Sequence, residues 1–154
     1  MIIAAATFII GVGNPVFAAE KGSSMFTLEG AVSGSFKDAR CSLVYNKYGK
    51  VWMLRLTPKD GRSPAANLFF SPKFGNAKAG KYPVKFSYRG AAATMGGSVT
   101  EGRTMYSHDT DGTVDFSRFD DRVEGSFSYT SKSRSGDSVL ASGSFDCSRG
   151  EALR

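Results

Sequence analysis

Few side chains of this chain have the type and spacing for chemistry. His108 is the only histidine. Serine hydrolase chemistry needs an imidazole base held against a hydroxyl nucleophile. Ser107 is only its sequence neighbour, and no Gly-x-Ser-x-Gly elbow occurs. His108 therefore reads as a solvated histidine in a turn. Asp109-x-Asp111-Gly112, with Asp115 beyond, has the spacing of a turn rich in oxygen ligands. Calcium takes about six to eight oxygens, and the full Asp-x-Asp-x-Asp-Gly loop with its distal Glu is absent. Aspartates also favour turns for their own backbone bonds. One histidine and two cysteines do not furnish a zinc set. Glu101, Asp120, Asp121 and Glu124 are candidates for a glycosidase pair, but no spacing sets two of them across a cleft, and Asp120-Asp121 marks a hairpin. The sequence thus assigns no catalytic residue, no metal and no cofactor.

Charge is the stronger signal. Of a net +6, the stretch Lys37 to Arg89 holds twelve basic and two acidic residues, a balance of +10. Glu101 to Glu151 holds six basic and ten acidic residues, a balance of −4. Such asymmetry predicts a positive region that meets an anionic partner. Lys81, Lys85 and Arg89 share one strand face at intervals of about 13 Å. Lys73 and Lys78 precede them, and Phe69, Phe70 and Phe74 are expected to add exposed aromatic contacts. The competing reading is a solvated face that protects a strand edge, neutralised where acidic strands lie alongside.

These residues need a frame. Residues 1–19 carry no charge and run from an apolar stretch through Gly11, Gly13 and Pro15 to Val16-Phe17-Ala18-Ala19. That pattern predicts a signal peptide, although no Lys or Arg precedes the apolar run. The interruptions leave it short of a membrane span. Residues 20–154 form one domain, exported to the periplasm or beyond. Cys41 and Cys147 then pair most simply with each other, with no Cys-x-x-Cys redox spacing.

Alternation of apolar and polar residues recurs throughout that domain, with no helix. Three copies of small-x-Gly-Ser-Phe stand out: Val32 to Phe36, Val123 to Phe127 and Ala141 to Phe145. Gly34, Gly125 and Gly143 fall on the inward faces, as do Phe36, Phe127 and Phe145. Eight to ten short strands with hairpin spacing predict an antiparallel β-sandwich, the alternative being an up-and-down barrel. The layout is similar to secreted bacterial β-sandwich proteins. It also resembles lipocalin-like barrels, though Trp52 follows Val51 well inside the chain and no Gly-x-Trp opens the first strand. That second resemblance implies a carrier whose apolar ligand sits against Trp52, Phe86 and Phe127.

The leading expectation is a non-enzymatic binding or structural module of the bacterial envelope or exterior. Its basic region, Lys73, Lys78, Lys81, Lys85 and Arg89, would recognise an anionic glycan, lipid headgroup or acidic protein. Nucleic acid is not expected, because no binding motif is present. The alternatives are the carrier and a small envelope hydrolase using acidic groups and His108.

Overall fold

A computed structural model describes residues 23–46, 51–70, 79–85 and 95–148. The expected signal peptide and Lys73, Phe74, Lys78, Phe86 and Arg89 lie outside the described residues. The rest is built from ten strands: β1 Ser24–Gly30, β2 Gly34–Asn46, β3 Val51–Thr57, β4 Ala65–Phe70, β5 Gly80–Lys85, β6 Gly96–Glu101, β7 Thr104–Tyr106, β8 His108–Phe119, β9 Arg122–Lys132 and β10 Ser138–Ser148. Strands dominate because apolar side chains recur at every second position, which buries one face of each. On β8, for example, Thr110, Val114 and Phe116 are buried while Asp111, Thr113 and Asp115 are exposed.

All ten strands belong to one antiparallel sheet, in the order β5-β8-β9-β10-β1-β2-β3-β4-β6-β7. The sheet is open and curled into a half-barrel. The sandwich expected from the sequence is not what the hydrogen bonding describes, because the strands do not divide into two stacked sheets. The reason lies in β2, whose 13 residues serve both sides. Its first part pairs with β1, and from Arg40 onward it pairs with β3. A register shift and a left-handed backbone at Asp38 (φ 53°) separate the two parts and turn the strand.

The curl brings β5, at one edge of the sheet, beside the start of β6, the strand next to the other edge. Val84 on β5 bridges Met95, just before β6, and Lys85 N–H donates to the Met95 carbonyl at 2.6 Å. Across the interior, the Tyr129 hydroxyl of β9 accepts from Asn67 N–H of β4 at 3.2 Å. It lies 2.7 Å from the Ser98 carbonyl of β6, to which it donates. Burial pushes the Tyr129 phenol well above its ordinary pKa, so it stays neutral.

The repeated Gly-Ser-Phe strands explain how the sheet bends so sharply. Phe26 of β1 stands opposite Gly143, which stands opposite Phe127 of β9. Likewise Phe145 stands opposite Gly125, which stands opposite Phe116. Rings and glycines therefore alternate across the inner face, each ring covering bare backbone. A Cβ on Gly125 would meet the Asp115 carbonyl oxygen at 2.1 Å and the Phe145 ring at 2.9 Å. One on Gly143 would meet the Met25 oxygen at 2.2 Å. Only glycine permits this approach. The rings continue as Phe116–Phe145 (centroids 5.6 Å), Phe116–Phe119 (5.1 Å) and Phe26–Phe36 (4.6 Å).

Cys41 and Cys147 form the expected disulfide, with Cα atoms 5.2 Å apart. They lie on β2 and β10, the two strands that flank β1. Continuing the register of β1 by two steps beyond Ser24 would reach the slot between them. The bridge fills that slot, so β2 and β10 converge where β1 begins. Two local expectations are overturned. His108 to Gly112 is not a turn but the start of β8, because the inward alternation of Thr110, Gly112, Val114 and Phe116 outweighs the turn composition; the extra residue is absorbed by a bulge with Asp109 at φ 46°. Phe70 is not exposed: it is buried against Phe119, with centroids 5.9 Å apart.

Candidate functional site

β5 positions the part of the basic region that the structure describes. Lys81, Pro83 and Lys85 are exposed on its outer face, while Val84 is buried. The neighbouring strand supplies the opposite sign. Lys81 is directly opposite Asp115, Lys85 is opposite Asp111, and Pro83 is opposite Thr113. Directly opposed residues have Cβ atoms about 4.5–5.5 Å apart, close enough for charges to compensate. The two β5 lysines thus stand on a face where β8 places one aspartate for each. Phe69, the remaining aromatic of this group among the described residues, points outward, half-buried, in a row with Met53 and Val44.

The acidic candidates are distributed, and most have cationic partners. Asp109 pairs with Lys132 at 3.3 Å, and His108 stands opposite the same lysine. Asp111 and Asp115 face the β5 lysines, so the three aspartates of the supposed calcium turn diverge. Among the described residues no group of three or more His, Cys, Asp or Glu comes close enough to hold a metal ion. The β8–β9 hairpin gathers the others into an ionic ladder. Arg118 contacts Asp120 at 2.7 Å and Glu124 at 3.7 Å, while Arg122 contacts Glu124 at 3.5 Å and Asp146 through Nε at 3.0 Å. The Arg122 N–H and then the Arg118 side chain hold the Asp120 carboxyl below the usual carboxylate range. Glu101 lies at the end of β6, away from that hairpin in the strand order.

The residues proposed for an apolar ligand take part in ring packing. Phe127 sits between Tyr129 (5.6 Å) and Phe145 (6.3 Å), and Trp52 is tilted against Tyr45 (4.9 Å).

The structure also assembles cations that sequence reasoning did not single out. Arg40 and Arg55 lie on the outer face of β2 and β3. Arg40 is opposite Thr57 and Arg55 is opposite Ser42, so the two arginines are diagonal neighbours. The loop 58–64 joins β3 to β4 at the same end and carries Lys59 and Arg62. Ser63 Oγ accepts the Gly102 N–H at 2.7 Å, tying the β6–β7 turn and Arg103 to that loop. Only the strand order brings Arg103 here; the basic composition of 37–89 was the one signal for the rest.

Compared with family models, curated proteins and solved structures, the chain matches none.

Proposed function

We propose that this chain is an exported, non-enzymatic β module of the bacterial envelope or exterior that binds an anionic partner through its basic surface. The observation that carries the reading is an imbalance in how charges are matched. On β8, β9 and β10, the ladder of Arg118, Asp120, Arg122, Glu124 and Asp146 compensates its own charges. On β2, β3 and the loop 58–64, exposed or half-exposed Arg40, Arg55, Lys59 and Arg62, with Lys37, outnumber the two acidic residues Asp38 and Asp60, the latter 3.9 Å from Arg62. Cations without local compensation raise the concentration of anionic partners nearby. Lys81 and Lys85 of β5, opposite Asp115 and Asp111, add less to this field, and Lys73, Lys78 and Arg89 are candidates from the sequence alone.

Export is supported by the uncharged residues 1–19 and by the Cys41–Cys147 bridge, since disulfides persist in oxidising compartments. N-terminal sequencing of protein recovered from the expressing bacterium tests this part. A mature chain starting at Ala19 or Glu20 supports export, and an uncleaved chain in the cytoplasm contradicts it. Binding is tested on beads carrying an acidic polysaccharide at low salt. Retention that fades as salt rises supports the reading. Passage without delay contradicts it.

A further inference from the structure

The geometry points to a polyanion-binding strip formed by Arg40, Arg55, Arg62 and Arg103, whose ligand is an acidic polysaccharide bearing carboxylate or sulfate groups. It rests on the anionic-partner reading above and names both the surface and the chemistry.

The strip is built on fixed backbone. As diagonal neighbours across β2 and β3, Arg40 and Arg55 have Cα atoms about 7–8 Å apart. Arg40 then reaches the loop: its Nη1 is 3.3 Å from where a Cβ on Gly61 would stand. Gly61 has φ +76°, a conformation that favours glycine, and its N–H donates to the Pro58 carbonyl at 2.8 Å. The next residue, Arg62, is pinned by its N–H to Asp60 Oδ1 at 3.0 Å, while its side chain is 85% exposed. Arg103 follows Gly102, whose N–H is bound by Ser63. Three chain segments therefore present guanidinium groups from one end of the curled sheet. The carboxylates near these segments are Asp60, which accepts the Arg62 N–H and lies 3.9 Å from its side chain, Asp38 two residues before Arg40, and Glu101.

Arginine dominates the strip, and its planar fork matches the paired oxygens of carboxylate and sulfate groups. The heads are spread over neighbouring segments instead of converging on one point. That arrangement suits a repeating anion better than a single ion. A bilayer would call for an apolar wedge as well as cations. Among the described residues Val44 and Met105 are the exposed large hydrophobics, and the outward row of Val44, Met53 and Phe69 is half-buried beyond Val44, so vesicles are tested beside the polysaccharide.

The test uses the full oxidised chain with two probes: immobilised heparin, and vesicles of phosphatidylglycerol and phosphatidylcholine. One variant carries Arg40→Gln, Arg62→Gln and Arg103→Gln; another carries Lys81→Gln and Lys85→Gln. Thermal unfolding checks that each is folded, and an Arg62→Gln/Arg103→Gln variant, changed only in exposed turns, stands in should the triple variant fail. The expected result is heparin binding that weakens about tenfold for each arginine replaced. The lysine variant keeps most of its affinity, and arginine-to-lysine replacements restore only part. Heparin binding lost in the lysine variant but kept in the arginine variant overturns the strip and leaves the anionic-partner reading standing. Vesicle binding without heparin binding overturns the polysaccharide assignment. Binding of neither probe by the unaltered chain overturns both.

Discussion

The two sides of the curled sheet solve the same packing problem in different ways. Around β8, β9, β10 and β1 the interior is made of rings set against glycines: Phe26, Phe116, Phe127 and Phe145 face Gly125 and Gly143. Around β3, β4 and β6 it is mostly aliphatic, with Leu54, Leu56, Leu68 and Val99 buried and Phe70 the ring that reaches across to Phe119. The outer surfaces differ in parallel. The ring-and-glycine side matches its charges in pairs, lysine against aspartate on β5 and β8 and arginine against carboxylate on the β8–β9 hairpin. On the aliphatic side, among the described residues, Arg62 has Asp60 at 3.9 Å while Arg40, Arg55 and Arg103 make no ion pair. On the proposed reading, charges on the first side pair across strands and those on the second meet an anionic partner.

Stability measurements sharpen this contrast. The disulfide joins the two sides, and replacing Cys41 and Cys147 by serine releases a loop with a sequence separation of 106. The expected loss is about 4–5 kcal/mol in denaturant unfolding on the chain-entropy model. Next come the glycines. Gly125→Val or Gly143→Val forces a side chain into a carbonyl oxygen little more than 2 Å away, with an expected cost of at least about 3 kcal/mol. Gly102→Ala on the other side meets no atom within 4 Å and bears only the strain of φ +56°, about 1 kcal/mol. Equal costs at the three positions would break the distinction.

Tyr129→Phe should cost about 1–3 kcal/mol, because Asn67 N–H loses its acceptor in the interior. The tyrosine also has a pH signature. Its pKa is raised in the folded state, so its contribution is complete below the ordinary tyrosine value of about 10 and is lost as pH rises above it. Tyr129→Phe should flatten that alkaline decline in a pH series of melting temperatures. The smallest effect belongs to Asp120. Its pKa is lowered by the Arg122 N–H and by Arg118, so its contribution is present above the ordinary aspartate value of about 3.9. It is lost as pH falls from there through the lowered value. Asp120→Asn should lower the melting temperature slightly at pH 7 and change nothing at the acid limit.

Strand content and the disulfide were legible in the sequence because both rest on local signals. Alternation in Val123 to Phe127 or Ala141 to Phe145 is set by neighbours along the chain, whereas Val32 and Ser33 of the first copy fall in the turn between β1 and β2; two cysteines in one domain leave one pairing. The single curled sheet was not legible, because it depends on how closely Gly125 and Gly143 let the next strand approach. His108 to Gly112 misled for a related reason: Asp and Gly are turn residues locally, but Gly112 is needed opposite Tyr129. Part of the candidate site was visible as an excess of lysine and arginine. Which cations stand against aspartates, as Lys81 and Lys85 do, depends on register. Arg40, Arg55, Arg62 and Arg103 come from segments far apart in sequence, and the Ser63–Gly102 hydrogen bond that joins two of them has no sequence signature.

The division of labour between matched and unmatched charges is tested most directly by the salt concentration needed to elute the protein from heparin. It should be compared for the unaltered chain, for Arg40→Gln with Arg62→Gln, and for Arg118→Gln with Arg122→Gln. The account predicts early elution and an unchanged melting temperature for the first pair, and near-normal elution with a lowered melting temperature for the second. Early elution of the second pair alone, with the first eluting like the unaltered chain, would contradict it.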